Sequence, residues 1–204
     1  MVTYILIATI SLVSFASFNR KDYFNNLLFN PAIIKEKGQW YRFLTHAFVH
    51  ANWEHLIFNM LTLFFFGVFV ENTFTLLFDG KGIFIYLIEF LLACIVSSIP
   101  SYLKHKENYS YSAVGASGAV SAILFTSILF NPLNKIYIFF IPIGIPAFIF
   151  GILYLAYSAY MSKRNIDNIG HDAHFWGAVF GIVFPLVLKF ELLADCINLI
   201  KNNF

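Results

Sequence analysis

The sequence predicts an all-α membrane protein, a polytopic bundle of six transmembrane helices, from its composition and from the spacing of its apolar residues. Hydrophobic residues make up 59% of the 204 residues, charged residues only 12%, and the mean hydropathy is +0.73. A soluble domain carries about 25% charged residues, so an apolar excess of this size must face lipid. The apolar residues also form six runs near the length of a spanning helix, which is about 20 residues.

The first half of the chain contains three of the predicted spans. Residues 2–18 lack the charged leader and the small-residue cleavage pattern of a signal peptide, so they are expected to remain as a helix. Residues 19–52 mix basic, aromatic and aliphatic side chains, which is typical of a segment lying in the membrane interface. The second span is expected at residues 55–77 and the third at residues 83–103.

The second half of the chain contains the other three spans. Residues 114–130 are short for a span and open on glycine, alanine and serine, so this helix should sit among others. Residues 136–160 form a fifth span that contains helix breakers needing support from neighbours, namely Pro142, Gly144 and Pro146. Residues 170–189 form the sixth. There is no repeat, so residues 1–204 are expected to be one domain without a soluble accessory domain.

Charge and cysteine content argue against several classes of function. The formal net charge is +2 and no basic run is interleaved with aromatic residues, so a nucleic-acid partner is not expected. Cys94 lies within an apolar run and Cys196 lies near the C-terminus, so neither is placed for a disulfide framework or a metal knuckle. Function must therefore be sought in the polar residues of the spans.

Strongly polar side chains cluster where three of the spans begin. Each such group costs about 2.5 kcal/mol or more in hydrocarbon, which makes it a candidate for function. His55 and Asn59 are four residues apart, so they project from one helix face and can converge on one oxygen atom. The full set is His46, His50, His55 and Asn59 at the second span, Ser117 at the fourth, and His171 and His174 at the sixth.

Ser117 has the surroundings of a nucleophile. It lies between Gly115 and Gly118, where a tight loop and the start of a helix direct N–H groups toward a bound group. A nucleophilic serine needs a base within about 3 Å and donors aimed at the developing oxyanion. His174 or His171 can be the base and the polar pair of the second span can be the donors, provided that water reaches the site.

Two other interpretations of these residues stay open at this level. A single histidine or asparagine in a membrane helix is often an interhelical hydrogen-bond donor, and a run of glycine, alanine and serine is also a packing surface. The histidines also allow a metal or haem site. A zinc protease is disfavoured, because there is no HExxH motif and Glu54 and His55 stand in the wrong order for one.

Together, these motifs resemble those of the rhomboid family of intramembrane serine proteases over about residues 40–184. Residues 40–50, with the sequence WYRFLTHAFVH, and the His55 and Asn59 pair are similar to the family's first-loop motif and second-helix pattern. Three further motifs are similar, namely GxxxE at Gly67 and Glu71, GxSG at Gly115 to Gly118, and AHxxGxxxG at Ala173, His174, Gly177 and Gly181. The resemblance implies a rhomboid-like fold and proteolysis within the membrane.

The resemblance implies a catalytic role for four residues. Ser117 attacks the scissile carbonyl, and His174 acts as the base and then as the acid toward the leaving amine. His55 and Asn59 hold the oxyanion together with the Ser117 N–H. Asp172, two residues from His174, points to a different side of the helix, so a Ser-His dyad is expected rather than a triad.

Other motif residues are expected to have structural roles. Gly177 and Gly181 let the sixth helix approach the fourth closely, and His171 is expected to face the mouth of the site. Arg42, His46 and His50 organise the first loop. The remaining structural positions are Gly115, Gly118 and Glu71.

Two residues depart from the family pattern. Tyr41 replaces the tryptophan next to Arg42, an aromatic exchange that keeps an interfacial anchor. Ser121 stands four residues after the nucleophile, where many members carry an aromatic residue that stacks on the catalytic histidine. Another residue must therefore hold that histidine, and Phe125 and Trp176 are the candidates.

The function implied is cleavage of transmembrane protein substrates near their outer ends, with membrane lipid as the other partner and with no cofactor and no metal. The oligomeric state is left open. A catalytically weak or inactive rhomboid-like binder or chaperone of membrane proteins is the alternative, which Ser121 favours. A haem or metal protein built on the histidines is a third hypothesis.

The implied location is the cell membrane, with the N-terminus in the cytoplasm and the catalytic opening toward the exterior. This orientation conflicts with the positive-inside rule, because it places nine of the 13 Lys and Arg residues outside. We follow the motifs, since the first loop is long and interfacial. The nine residues are Arg20, Lys21, Lys35, Lys37, Arg42, Lys104, Lys106, Lys163 and Arg164.

Overall fold

A computed structural model describes residues 1–137, 143–164 and 170–203 of the protein, and most of these residues are helical. A 3₁₀ turn, His46–Phe48, follows α4, and a π turn, Leu63–Gly67, joins α5 and α6 into one continuous helix. The helices are α1 (Val2–Phe18), α2 (Lys21–Leu27), α3 (Pro31–Lys37), α4 (Arg42–Thr45), α5 (Trp53–Thr62), α6 (Val68–Leu77), α7 (Gly82–His105), α8 (Ser117–Phe130), α9 (Ala147–Met161), α10 (His171–Leu188) and α11 (Glu191–Lys201).

Six apolar helices correspond to the six predicted spans, but they differ in length. Within the described ranges three are long and apolar enough to cross a membrane, namely Trp53–Leu77, Gly82–His105 and His171–Leu188. These match the second, third and sixth predicted spans closely. The other three, α1, α8 and α9, are shorter apolar helices, and α1 has the predicted bounds.

Helix α8 lies at the centre of the bundle. Residues 118–129 are all buried, and α7 and α10 pack along them. A helix with small or apolar residues on every side is stable when other helices surround it. The prediction that the fourth span sits among other helices is therefore confirmed.

The backbones of α8 and α10 are in direct contact at two glycines. A Cβ atom placed on Gly177 would lie 2.1 Å from the carbonyl oxygen of Gly118, and one on Gly181 would lie 2.0 Å from that of Ala122. Both distances are far below van der Waals contact, so a residue with a side chain fits at neither position without moving the helices apart. The close approach predicted for the fourth and sixth helices depends on these two glycines.

Helix α1 is anchored at its first turn by Glu71 of α6. The Glu71 carboxylate accepts hydrogen bonds from Val2 N (2.7 Å), Thr3 N (2.9 Å) and Thr3 Oγ1 (2.7 Å). These N–H groups have no partner inside their own helix, and the carboxylate faces the positive end of the helix dipole. Near the other end of α1, Ser14 bonds His50, which precedes α5. Helix α1 therefore runs antiparallel to the α5–α6 helix.

Residues 19–52, predicted as an interfacial loop, contain three short helices and the 3₁₀ turn. The buried guanidinium of Arg42 donates to the carbonyl oxygens of Asn25 (2.9 Å) and Leu28 (2.6 Å) and to Gln39 Oε1 (2.7 Å). Two of these oxygens belong to the end of α2, whose last carbonyls have no partner inside the helix. One side chain thus joins α2 to α4.

The predicted start of the fifth span is wrong, because α9 begins at Ala147, whereas its end at Met161 is within one residue of the predicted end. Two strands precede it, β1 (Lys135–Ile136) and β2 (Ile145–Pro146), which pair antiparallel. Pro146 has no N–H group and restricts the residue before it to extended backbone, so the chain is extended there and turns helical only afterwards. This short ladder and an isolated antiparallel bridge between Phe29 and Ala113 are departures from an all-α fold. Pro142 lies outside the described residues.

Helix α11 was not predicted. Its sequence places charged and amide side chains among leucine and isoleucine at helical spacing, and Leu192 is its buried residue. Such an amphipathic helix is too polar to be read as a span, although its period indicates a helix with one apolar face.

Candidate active site

Ser117 is the first residue of α8, and a tightly held loop leads into it. Gly115 has a φ of +104°, in the region that glycine adopts readily and other residues rarely do. Its N–H donates to the carbonyl oxygen of His46 (2.8 Å), and the N–H of Ala116 donates to His50 Nε2 (3.4 Å). Ser117 itself is only half-buried. The first loop therefore fixes the backbone just before a partly accessible serine.

His50 connects this backbone to α1 and has one defined tautomer. Ser14 Oγ donates its only proton to the carbonyl oxygen of Phe48 (2.9 Å), so the 2.8 Å contact with His50 must be donated by Nδ1–H. Nε2 then carries no proton and accepts from Ala116. Burial, with smaller contributions from His55 and His46, lowers the pKa of His50 to about 3, which agrees with a neutral ring.

His46 joins the same loop to α7. Its Nε2 lies 3.1 Å from Ser98 Oγ, whose own proton goes to the carbonyl oxygen of Cys94 (2.9 Å). Burial lowers the pKa of His46 to about 4. Since its carbonyl oxygen also accepts from Gly115, His46 holds the loop through both backbone and side chain.

His55 lies against the loop from the side of α5. A Cβ atom placed on Gly115 would lie 2.5 Å from His55 Cε1 and 2.7 Å from Nε2, so only glycine leaves room for this ring. The rings of His50 and His55 meet edge to face, with centroids 5.0 Å apart. The imidazole of His55 thereby lies against Gly115, which is two residues before Ser117 in the chain.

Asn59, one turn along α5, carries a buried donor without an acceptor. The residue is 6% exposed, and its Nδ2 has no hydrogen-bond partner among the residues that the structure describes. An unpaired buried amide costs about 1–3 kcal/mol, and a catalytic role is one explanation for such a group in a native protein. Asn59 is thus a donor that an incoming oxygen atom can use.

His174 lies in the first turn of α10, on the other side of the loop. Its N–H donates to the carbonyl oxygen of Gly170 (3.0 Å). The carbonyl oxygen of the preceding residue, Ala173, lies 3.4 Å from where a Cβ on Gly118 would be. The starts of α5 and α10 therefore contact the chain immediately before and after Ser117.

His171 and Asp172 precede His174 in the first turn of α10 and make separate contacts. His171 is buried, with ring contacts to Tyr157 (centroids 5.6 Å apart) and His174 (6.0 Å), so the expectation that it faces an open mouth is wrong. The Asp172 carboxylate lies 3.6 Å from Lys104 Nζ on α7.

Tyr154 of α9 is the residue that sequence reasoning missed. Its ring lies beside the ring of His174, with centroids 6.3 Å apart and planes 29° apart, and its hydroxyl lies 2.7 Å from Ser121 Oγ. Phe125 packs against Tyr154, and the exposed ring of Trp176 meets Phe175. Tyr154 is 33 residues beyond Ser121, so no local pattern could have identified it.

The described residues offer two further findings. Within residues 1–137, 143–164 and 170–203, no three His, Cys, Asp or Glu side chains are grouped so as to hold a metal ion. A largely apolar groove of about 640 Å³ lies between α5, α9 and the far end of α8, where Asn131 follows the helix. It is therefore at the opposite end of α8 from Ser117.

Comparison with known proteins gives a consistent family. The family model described as "Rhomboid domain" matches residues 37–189. The mitochondrial RHOMBOID-like protein 12 of Arabidopsis thaliana is 29% identical over 81% of this chain and 51% of its own length. Rhomboid protease GluP of Bacillus subtilis is 33% identical over 71% of this chain and 26% of its own length. Rhomboid protease GlpG of Haemophilus influenzae is 26% identical over 79% and 76%, respectively.

In each comparison, the matched region covers a larger share of this chain than of the relative. The chain spans about half, or less, of the length of the first two relatives and three quarters of the third. The family model, by contrast, covers well over half of this chain and includes every candidate catalytic residue. The chain therefore belongs to the rhomboid family.

Proposed function

We propose that the protein is an intramembrane serine protease that hydrolyses peptide bonds of transmembrane protein substrates. Family membership and relatives named as rhomboid proteases support this proposal. The observation that carries it for this chain is the convergence on Ser117. The ring of His55 and the start of α10 contact the residues on its two sides, and Asn59 offers an unpaired buried donor one turn from His55.

In the proposed first half-reaction, Ser117 Oγ attacks the scissile carbonyl carbon while His174 takes the hydroxyl proton. The carbonyl oxygen becomes an oxyanion that accepts hydrogen bonds from the Ser117 N–H, His55 and Asn59. When the C–N bond breaks, His174 gives the proton to the leaving amine. The carboxyl part of the substrate is then an ester of Ser117.

In the second half-reaction, water completes the hydrolysis. His174 takes a proton from the water as it attacks the ester carbonyl, and returns that proton to Ser117 Oγ when the C–O bond breaks. The products are a carboxylic acid and the free serine.

Helix α8 has 14 residues, or about 21 Å, which is less than the roughly 30 Å of a bilayer core. Ser117 at its head therefore lies below the membrane surface, and a water-filled entrance must lead to it.

The proposed architecture is one rhomboid-like domain over residues 1–204 in which all six apolar helices cross the membrane. The short length of α8 does not oppose a crossing, because longer helices surround it and shield its ends from lipid. The cell membrane, with the site opening toward the exterior, is the proposed location. Membrane lipid and transmembrane proteins are the proposed partners, and no cofactor is required.

The test is covalent labelling and cleavage by the purified protein in detergent. We expect a fluorophosphonate to label the wild type and the wild type to cleave a transmembrane reporter, and Ser117→Ala and His174→Ala to lose both activities. Ser127→Ala is the matched control, because it removes another buried hydroxyl of α8, which bonds the Leu124 carbonyl, and it should keep both. Absence of labelling and cleavage in folded wild type would refute the proposal.

A rhomboid-like membrane-protein binder without catalysis is the second candidate, and Ser121 is the observation that favours it. Without an aromatic four residues after Ser117, the catalytic histidine lacks its usual support. Tyr154 beside His174 weakens this objection. Reaction of Ser117 with the fluorophosphonate would decide between the two, since a binder has no activated serine.

A further inference from the structure

Tyr154 touches both helices that carry the proposed dyad. Its hydroxyl lies 2.7 Å from Ser121 Oγ on α8, one turn after Ser117, and its ring lies beside His174 on α10. Helix α9 itself lies next to both of these helices. Tyr154 therefore links α8, which carries Ser117, to α10, which carries His174.

Serine at position 121 is what makes room for this arrangement. Ser121 is buried, and a larger residue there would occupy the space that the Tyr154 hydroxyl enters. The hydrogen bond fixes one end of the tyrosine. The rings of Phe125 and Phe150, with centroids 5.5 Å and 5.8 Å from that of Tyr154, restrict it from other directions. The tyrosine ring is therefore held in one orientation before any substrate binds.

The contact with His174 has the geometry of an aromatic pair. Offset rings with centroids 4.5–7 Å apart attract each other, and the 6.3 Å separation lies in this range. An imidazole beside a fixed ring loses freedom to rotate about its side-chain bonds. A general base works only when its nitrogen is directed at the hydroxyl that it deprotonates, and small misplacements reduce rates strongly.

We propose that Tyr154 is the positioning residue for His174, with its ring orienting the imidazole and Ser121 fixing the ring. The inference rests on the proposed function, since it assigns His174 as the base. In the family pattern, an aromatic residue on α8 supports the catalytic histidine. In this protein, Tyr154 on α9 provides that support. A tyrosine that merely packs α9 onto the bundle would affect stability, but not the turnover of folded protein.

Steady-state cleavage separates these two roles. We expect Tyr154→Leu to lower kcat and the fluorophosphonate labelling rate of the folded protein about tenfold at nearly unchanged KM. The melting temperature should also fall, because packing of the ring is lost, so both rates are expressed per folded molecule. Tyr154→Phe keeps the ring and should stay within about threefold of the wild type. Tyr160→Leu, on an exposed position of the same helix whose ring meets Arg164, is the matched control and should change neither quantity.

A double-mutant cycle tests the hydrogen bond with variants that disturb folding little. Ser121→Ala and Tyr154→Phe each remove one partner, so each should lower kcat about threefold and the double variant should be no slower than either. Wild-type turnover in folded Tyr154→Leu would overturn the role of the ring. Independent, additive effects of the two small variants would overturn the role of Ser121.

A spectroscopic measurement keeps the contact testable apart from activity. In protein labelled at histidine Cε1, the His174 signal should shift strongly in Tyr154→Leu and only slightly in Tyr154→Phe, which keeps the ring but loses the hydrogen bond to Ser121. His105, which stacks on Tyr111 with centroids 3.8 Å apart, is an internal reference that neither variant should move. An unmoved His174 signal would overturn this inference, whereas an unlabelled, inactive wild type would overturn the proposed function instead.

Discussion

The N–H groups of Gly115 and Ala116 bind the carbonyl oxygen of His46 and the ring of His50, so two histidines of the first loop hold the backbone that leads to Ser117. Both rings are buried and neutral. Protonation of His50 would remove the acceptor of Ala116 and place a charge between α1 and the loop. The backbone geometry around Ser117 therefore depends on these two groups staying unprotonated.

This dependence gives a pH prediction. The pKa of His46 is about 4 and that of His50 about 3 in the folded protein, against 6.5 for an exposed histidine. Between about pH 6.5 and pH 4 the unfolded chain binds protons that the folded chain excludes, so stability should fall as the pH falls through this window. Each unit of difference in pKa corresponds to about 1.4 kcal/mol at most.

Thermal unfolding in detergent between pH 4 and 7.5 measures this effect. The melting temperature should be level above about pH 7 and decline below about pH 6.5. His50→Gln should show a shallower decline, because one of the two groups is gone. A wild-type curve as flat as that of the variant would contradict the neutral assignment.

At Asn59, activity and stability should change in opposite senses. Asn59→Leu removes a proposed oxyanion donor, so kcat should fall about 100-fold. It also removes a buried donor without an acceptor and keeps the branched shape and the number of side-chain heavy atoms, so the melting temperature should stay the same or rise. Cleavage assays and thermal unfolding of the same sample check this. A loss of activity that merely follows a loss of folded protein would count against a catalytic role.

The helices that the sequence predicts well are those for which burial in lipid is the dominant requirement. A helix in lipid needs a continuous apolar run, and α1, α7 and α10 follow their runs closely. Sequence reasoning failed at α9, where Pro146 delays the helix, and at α11, which is amphipathic rather than apolar. The candidate site residues were predictable because they lie in local motifs, whereas Tyr154 acts through a contact between distant segments.

The junction of α1 with α6 gives a prediction at the scale of elements. Glu71→Ala leaves the N–H groups of Val2 and Thr3 without their buried acceptor, which should destabilise the protein by about 1–3 kcal/mol. Thermal or denaturant unfolding in detergent measures the loss. Glu54→Ala, on an exposed acidic residue in the first turn of α5, is the matched control and should have little effect. Equal stability of the two variants would argue against the anchoring role of Glu71.

For the whole molecule, the path of α1 relates the N-terminus to the candidate site. The first turn of α1 meets Glu71 near the end of the α5–α6 helix, and Ser14 meets His50 near its beginning. The N-terminus and Ser117 therefore lie at opposite ends of the bundle. If the N-terminus is cytoplasmic, the site must open toward the exterior.

Tags at the termini test the orientation. With six crossings, both termini should be cytoplasmic and protected from protease in sealed right-side-out vesicles, and should become accessible after permeabilisation. A tag placed in the first loop, between α3 and α4, should be cleaved in the intact vesicles. An N-terminal tag exposed on the outside would contradict the proposed topology and would favour the orientation that the basic residues suggest.

The main-chain contact between α8 and α10 has a consequence for sequence divergence in this protein. Because Gly177 and Gly181 bring the backbones together, main-chain atoms set the distance between α8, which carries Ser117, and α10, which carries His174. The lipid-facing and packing side chains around this pair can accumulate substitutions, even to the point of changing which helix supports the histidine, without altering that spacing. Gly177 and Gly181 must remain glycine for Ser117 and His174 to stay in register, whereas the side chains that surround the two helices can change.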